Sequence, residues 1–534
     1  MPGLDRSVLD TINSELALRR IRRDTLSDFI VAPHYNAIFV RAGDELWGRT
    51  SEQLRSGTYS PQLPLTLPVP KPGGFTRPGS ILQPIDRLVY QALADLVAPI
   101  LEEQMDRKRS FSHVLTSSTE SDQMFEPESQ SWDQMQARLQ KIAAMGGWFV
   151  KADVANYFER IPQHHLINLM TATGCRTEIT RLLEEMLLAF KQRDSSGIIQ
   201  GVFPSDLFGN YYLTDLDAYC EVHDVPSVRY VDDLYLYFET RPEAARGLIR
   251  LVEQLRHDGL HLNEGKSGVS KADSVLKEET TLDDLFAEVR EQLEAEKDEE
   301  EKLERGYGFP VDWDLSNGED IWENNEEDEE MVDEDHDDLF GDAVIRLFES
   351  IEEYQDHTIK IERFCLPFLR EMGSDIAVER TLNGIISRPY MSRTYLSYLS
   401  GFIGESTEIK DRLEGLMKGD ALISDYQRMY ILATLSMAPK VSREAVKITL
   451  QLLQDLSYAQ ETRAIAAILA AKHGAPVQRR AVRLAYEGET SPYVRAAILY
   501  ASRHFTGAER RTCIKAWGGH SIVNALVAHA LKGE

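Results

Sequence analysis

Three carboxylates have the spacing and setting to do chemistry. In WFVKADVANYF, Asp153 closes a short apolar run; in SVRYVDDLYLYF, Asp232 and Asp233 sit between two strand-like halves, RYV and LYLYF. β-branched and aromatic content marks these runs as strands. Two adjacent hairpins of one buried sheet would set Asp153 beside the Asp232–Asp233 turn. Mg²⁺ is a hard ion that takes carboxylate oxygens and keeps several waters. A pair of such ions about 4 Å apart supports in-line phosphoryl transfer, one activating the attacking oxygen and one holding a triphosphate. Taken alone, an Asp-Asp pair is also an ordinary polar hairpin turn, so the surrounding elements matter.

Those elements alternate. From about residue 80 to about 275, short β-like runs are interleaved with helical ones such as HHLINLM and RLLEEMLLAF, identified by their apolar period. The pattern implies an α+β layer. Residues 1–60 read as an N-terminal helical segment. Its basic cluster at Arg19, Arg20, Arg22 and Arg23 is either a solvated helix face or a contact for a nucleic-acid backbone. The Pro-rich PQLPLTLPVPKPGG then breaks helix. Residues 276–340 form an acidic linker or insertion, with Phe309, Trp313, Ile321 and Trp322 embedded in it. Such a block is either a solvated spacer or a docking element that mimics nucleic acid. Residues 341–534 are helical and partly repetitive: YQRMYILATL, ETRAIAAILA and YVRAAILYAS each carry an arginine (Arg428, Arg463, Arg495), about 35 and about 32 residues apart. That spacing suits helical hairpins stacked as a HEAT-like solenoid, with the arginines as structural pairs between repeats. Arg479, Arg480, Arg483, Arg510 and Arg511 add positive charge near the end.

A formal charge of −28 over 534 residues argues against a nucleic-acid partner if it is spread evenly, but its distribution removes the objection. Between Glu278 and Asp338 there are about 28 acidic and about 4 basic residues, which leaves only about −4 for the rest of the chain. Cys175, Cys220, Cys365 and Cys513 are far apart and form no CxxC pair, which argues against a zinc site or disulfide framework and fits a reducing cytoplasm. The polar N-terminus does not read as a secretory signal, and without an apolar run of about 18 residues no membrane span is expected.

In order along the chain, KADVANYF, QGVFPSDLFGN, YVDD and LHLNEGKS resemble the motif series of reverse transcriptases. The upstream VPKPGGFTRPGSILQPIDRLVYQAL is similar to their fingers segment. The resemblance spans roughly residues 65 to 270, and residues 61–275 are accordingly expected to form fingers and palm. It implies an RNA-directed DNA polymerase with two Mg²⁺ ions and dNTP substrates. Asp153 and Asp232 match the bridging metal ligands, with Asp233 as a secondary carboxylate and the carbonyl of Val154 completing a metal shell. Phe158 matches the steric gate, an aromatic ring that leaves no room for a 2′-OH; the bland alternative is a core aromatic. Lys71 and Arg77 match the residues that grip the triphosphate, where multiple donors suit phosphate oxygens. Gln200 and Gly201 match the lining of the nascent base-pair pocket, and Tyr230 falls with these nucleotide-binding positions. Lys266 matches a lysine proposed to protonate the pyrophosphate leaving group.

The sequence departs from the family pattern at Ile199 and Asp206, where prolines are usual. No thumb, maturase, RNase H or nuclease segment is recognisable after Lys266. A palm joined to helical repeats is similar to the bacterial defence-associated, abortive-infection group. That likeness implies a cytoplasmic bacterial protein acting against phage, often as a homo-oligomer. Some members polymerise DNA without a template from a tyrosine of the protein, so that nascent DNA stays attached to it; others copy an associated non-coding RNA. Two alternatives remain open here: a retron- or intron-type enzyme copying a dedicated RNA, and a catalytically silent RNA-binding scaffold. The second has no physical need for clustered acids, which repel one another without metal.

Overall fold

The computed structural model describes residues 4–118, 121–278, 289 and 334–533. The acidic segment from 278 to 338, including Phe309, Trp313, Ile321 and Trp322, lies almost entirely outside the described residues. The chain divides into two compact units. One comprises Met1–Asp28, Gly43–Leu65 and Ser80–Thr280; the other comprises Phe29–Ala42, Thr66–Gly79 and Thr281–Glu534. Phe29–Ala42 and Thr66–Gly79 therefore join the C-terminal helices, a difference from the sequence reading. Tyr430 Oη donates to the carbonyl of Phe29 at 3.2 Å, and the helix Pro33–Arg41 packs on Ile522–Ala530.

In the first unit the strands are β3 (Trp148–Asp153), β4 (Ser227–Tyr230), β5 (Asp233–Phe238) and β6 (Gly268–Lys271), in the antiparallel order β4-β5-β3-β6. The remaining pair, β1 (Leu65–Pro70) and β2 (Thr76–Ile81), forms a separate two-stranded ribbon. Alternation assigns the sheet faces. Val150, Ala152, Leu234 and Leu236 enter a large core with the helices Pro84–Glu102, Gln163–Ala172, Thr177–Phe190 and Phe203–Tyr212. Phe149, Val228, Tyr235 and Tyr237 meet Met135 and Leu139 of the helix Glu128–Ala143, together with Ala272 and Val275. Full burial of one such leucine stabilises the fold by about 1.5–3 kcal/mol. Arg20 is no solvated residue: it is buried and its Nη1 lies 2.7 Å from Asp95 Oδ1.

In the second unit, helices alternate between two layers. Thr358–Glu371, Ser392–Ser400, Asp425–Met437, Gln460–His473, Pro492–Ala501 and Ile522–Ala530 pack in succession. Val378–Ser387, Thr407–Lys418, Arg443–Gln454 and Pro476–Gly488 form the other row. Within the first row, Gln460–His473 is buried all round over Ala464–Ala471, because helices cover it on more than one side. Arg463 pairs with Glu489 and donates from Nε to the carbonyl of Leu453 at 3.1 Å, tying consecutive hairpins together. Among the described residues, no helix is long and apolar enough to cross a membrane.

Candidate active site

Strand register brings the carboxylates together. β3 and β5 run antiparallel with Asp153 opposite Asp233, the last pair of the ladder, and Tyr230 of β4 is also paired with Asp233. Val231 and Asp232 make the tight turn between β4 and β5. Asp153 and Asp232 are half-buried, while Asp233 is exposed. Asp153 is held by its backbone: its N–H donates to Ser267 Oγ at 3.1 Å, and its carbonyl accepts from Asn263 N–H at 2.8 Å. Lys266 Nζ lies 3.2 Å from Asp153 Oδ2. Burial, then the charges of Asp233 and Asp153, push the Asp232 carboxyl up to about 7, with Lys266 opposing. The carboxylate end opens into a cavity of about 510 Å³ lined by Lys151, Asp153, Asp233, Tyr235, Lys266 and Ser270, among others.

The geometry bears directly on metal binding. Among the described residues, no group of three or more His, Cys, Asp or Glu side chains is drawn together closely enough to hold an ion. The donor set still fits one in its chemistry. Asp153 and Asp232 carry like charges at one strand end, and their mutual repulsion is what a divalent cation relieves. Val154 is buried beside Asp153, where its backbone bridges to Leu262.

The turn itself is built on a network that sequence reasoning missed. Val231 adopts φ +53°, a left-handed conformation costly for a β-branched residue. Its N–H donates to Ser112 Oγ at 2.9 Å. Arg229, buried on β4, makes a two-point contact with Asp217, with Nε 3.0 and 2.9 Å from its two carboxylate oxygens. The same guanidinium donates to Asn210 Oδ1 at 2.6 Å and to the Asn210 carbonyl at 2.9 Å. Asn210 closes the circle by donating to the Ser112 carbonyl at 2.7 Å. The available signal was an arginine inside an apolar strand, which burial obliges to find an acid.

Phe158 lies on the short helix Tyr157–Arg160 and is half-buried against the helix Phe203–Tyr212: a Cβ at Gly209 would stand 2.9 Å from Phe158 Cε1. The Phe158 carbonyl accepts from Ile198 N–H at 2.8 Å, which ties this ring to the segment leading into Gln200 and Gly201. Gly201 has φ +81°, so it needs the freedom of glycine. Tyr230 stands edge-on to Trp132, ring centroids 5.0 Å apart. Asp206, in the first turn of Phe203–Tyr212, is pushed well above the usual carboxylate range by burial and then by Asp24 and Glu128. Lys71 and Arg77 belong to the other unit. The loop between β1 and β2 turns at Gly73 (φ +78°) and Gly74 (φ +82°), and Lys71 N–H donates to the Phe75 carbonyl at 2.7 Å. The Arg77 guanidinium lies over the Phe29 ring, 4.7 Å from its centroid.

Residues 69–284 match the family model described as reverse transcriptase (RNA-dependent DNA polymerase). The chain carries a reverse transcriptase domain. The match takes in all the motif residues from Lys71 to Lys266 and about two fifths of the chain. The match indicates RNA-directed DNA polymerase chemistry, a nucleotidyltransferase, for that domain; the substrates of such domains in general are dNTPs and a template nucleic acid. No curated protein matches the chain.

Proposed function

We propose that this reverse transcriptase domain joins dNTPs by two-metal nucleotidyl transfer at Asp153 and Asp232, with Asp233 as the secondary carboxylate. The observation that carries the reading is the Asp153–Asp233 register pair beside the strained Val231–Asp232 turn. Asp153, Asp232 and the Val154 carbonyl would hold the Mg²⁺ ions. Bound there, the metal would supply charge neutralisation for the attacking and leaving oxygens. The chain's own residues do the rest. Phe158, braced by Gly209, closes the space that a 2′-OH needs. Gln200, Gly201 and Tyr230 line the nascent base pair, and Lys71 and Arg77 hold the triphosphate as multi-donor cations. Lys266 delivers a proton to the pyrophosphate.

The biological setting is bacterial antiphage defence by a homo-oligomer of HEAT-like architecture. Two things support it: the order of domains, and the two rows of helices that pack in succession in the second unit. Synthesis proceeds on an RNA template, or without one from a group on the protein that keeps the product attached. The test is to incubate purified protein with Mg²⁺ and labelled dNTPs or NTPs, with and without ribonuclease pretreatment. Deoxynucleotide label that survives denaturation on the protein supports protein priming. Loss of synthesis after ribonuclease supports a bound RNA template. Incorporation of NTPs in preference to dNTPs would overturn the DNA-polymerase reading.

A further inference from the structure

A short loop of the first unit braces the Val231–Asp232 turn. Arg107–His113 runs along the outer edge of β4, where Ser110 bridges Arg229 in parallel. Arg229 N–H donates to the Arg109 carbonyl at 2.7 Å, and Phe111 N–H donates to the Arg229 carbonyl at 3.2 Å. Two arginines pin the loop. Arg107 donates from Nη1 to the carbonyls of Ser110 and Ser112, at 3.3 and 3.0 Å, and from Nη2 to that of His113 at 3.1 Å. Its Nε lies 2.7 Å from Glu102 Oε1. Arg109 Nη1 donates to the Val225 carbonyl and to Ser227 Oγ, each at 2.7 Å.

Ser110 and Ser112 are both fully buried, and each hydroxyl donates to Asn210 Oδ1, at 3.0 and 3.2 Å. They differ in one contact: Ser112 Oγ, and not Ser110 Oγ, accepts the Val231 N–H, at 2.9 Å. Chemistry fixes the direction of this chain. A guanidinium can only donate, so Arg229 holds the Asn210 amide with its oxygen toward the serines, and the Ser112 hydroxyl gives its proton there. Its lone pairs are left for the Val231 amide. That amide belongs to the residue at φ +53°, immediately before Asp232. A β-branched side chain disfavours the left-handed region, so surrounding contacts must hold it there. Any relaxation of Val231 moves Asp232 with it.

We propose that Ser112 is a positioning residue for nucleotidyl transfer: by holding the Val231 N–H it fixes the backbone from which Asp232 reaches the metal. The proposal rests on the reading of Asp232 as a metal ligand and adds to it a residue outside the motif series. Ser110 is a comparison built into the fold, since it shares the burial and the Asn210 contact but not the contact with the turn.

The test uses the full chain and Mn²⁺ as a paramagnetic probe, its binding followed by electron paramagnetic resonance without nucleotide. Steady-state dNTP incorporation is measured beside it. Wild type is compared with Ser112→Ala, Ser112→Thr, Ser110→Ala and Asp232→Asn, and thermal melting in chelator checks the fold of each. Both alanine variants should melt lower by similar amounts, because each loses one buried hydroxyl. Ser112→Ala alone should weaken Mn²⁺ binding, by about three- to tenfold, the scale of one hydrogen bond. In the same variant kcat should fall while KM for dNTP stays near wild type, and Ser112→Thr, which keeps the hydroxyl, should restore most of both losses. If Ser110→Ala weakens Mn²⁺ binding as much as Ser112→Ala does, the effect is general loosening and the inference fails. If Asp232→Asn weakens Mn²⁺ binding and Ser112→Ala does not, the inference fails while the reading of Asp232 stands. If Asp232→Asn leaves Mn²⁺ binding intact, that reading fails and the inference falls with it.

Discussion

Lys266 places its ammonium 3.2 Å from Oδ2 of Asp153. The lysine side chain is 68% exposed and the carboxylate 19%, so the contact is a partly solvated ion pair at the mouth of the cavity. Such a pair contributes little to stability, but it competes with any cation for the same oxygen.

Lys266→Met should therefore lower the Mg²⁺ concentration needed for half-maximal incorporation by a fewfold. If Lys266 also protonates pyrophosphate, the rate at saturating Mg²⁺ should fall by about 10²-fold or more. Metal titrations of incorporation separate the two effects. Unchanged metal dependence would remove Lys266 from the site.

Asp232→Asn should stabilise the metal-free chain in alkaline solution. A carboxyl raised to about 7 from its usual value favours the fold while protonated, and that advantage is lost as pH rises through about 7. With partial exposure discounted, the variant should gain about 1–2 kcal/mol over wild type at pH 8.5 in chelator. The gain should shrink toward pH 5 and on adding Mg²⁺. Melting curves read the difference directly, and a gain independent of pH would contradict the electrostatic account.

Phe158→Ala should relax sugar discrimination, lowering the dNTP-over-NTP preference by about tenfold or more. Gly209→Ala should also change that preference without touching the nucleotide, because its new methyl must displace the Phe158 ring. Competition between dNTP and NTP incorporation measures both. A Gly209→Ala enzyme with wild-type discrimination would mean that the ring is not the gate.

Asp217→Asn should destabilise the first unit by about 3–5 kcal/mol, since it leaves Arg229 buried without its acid. Activity should fall further than the folded fraction does, because the same guanidinium supports the turn through Asn210. Denaturant melts and assays on the folded fraction distinguish the two losses.

His34 is buried with neither ring nitrogen hydrogen-bonded among the described residues, and burial pushes its pKa down to about 3. Its ordinary value is 6.5, so between pH 6.5 and 3 the unfolded chain binds a proton that the folded chain refuses. Stability is complete above pH 6.5 and is lost below it, by about 2 kcal/mol at pH 5. Replacing His34 with Gln should flatten the decline between pH 7.5 and 5. Parallel slopes for the two proteins would contradict this.

Much of the site is legible in local pattern. Asp153 ends an apolar strand and Asp232–Asp233 interrupts another, so a period-2 reading is enough to place both at strand ends. Arg229 is less legible, because its partners Asp217, Asn210 and, through Asn210, Ser112 come from other elements. Only folding brings them together. The membership of Phe29–Ala42 and Thr66–Gly79 in the helical unit is hidden for a similar reason. Apolar periodicity shows that a segment is buried, while the core it joins depends on tertiary contacts such as Tyr430 with Phe29.

The most direct test of the central claim is Mg²⁺-dependent incorporation of labelled dNTPs by purified wild type beside Asp153→Asn and Asp232→Asn. The account predicts incorporation by wild type and at least a 10³-fold loss (order of magnitude, from the scale of electrostatic catalysis) in each variant, with both still folded. Incorporation that persists in the folded variants would contradict it, as would a wild type that is silent with every template and primer supplied.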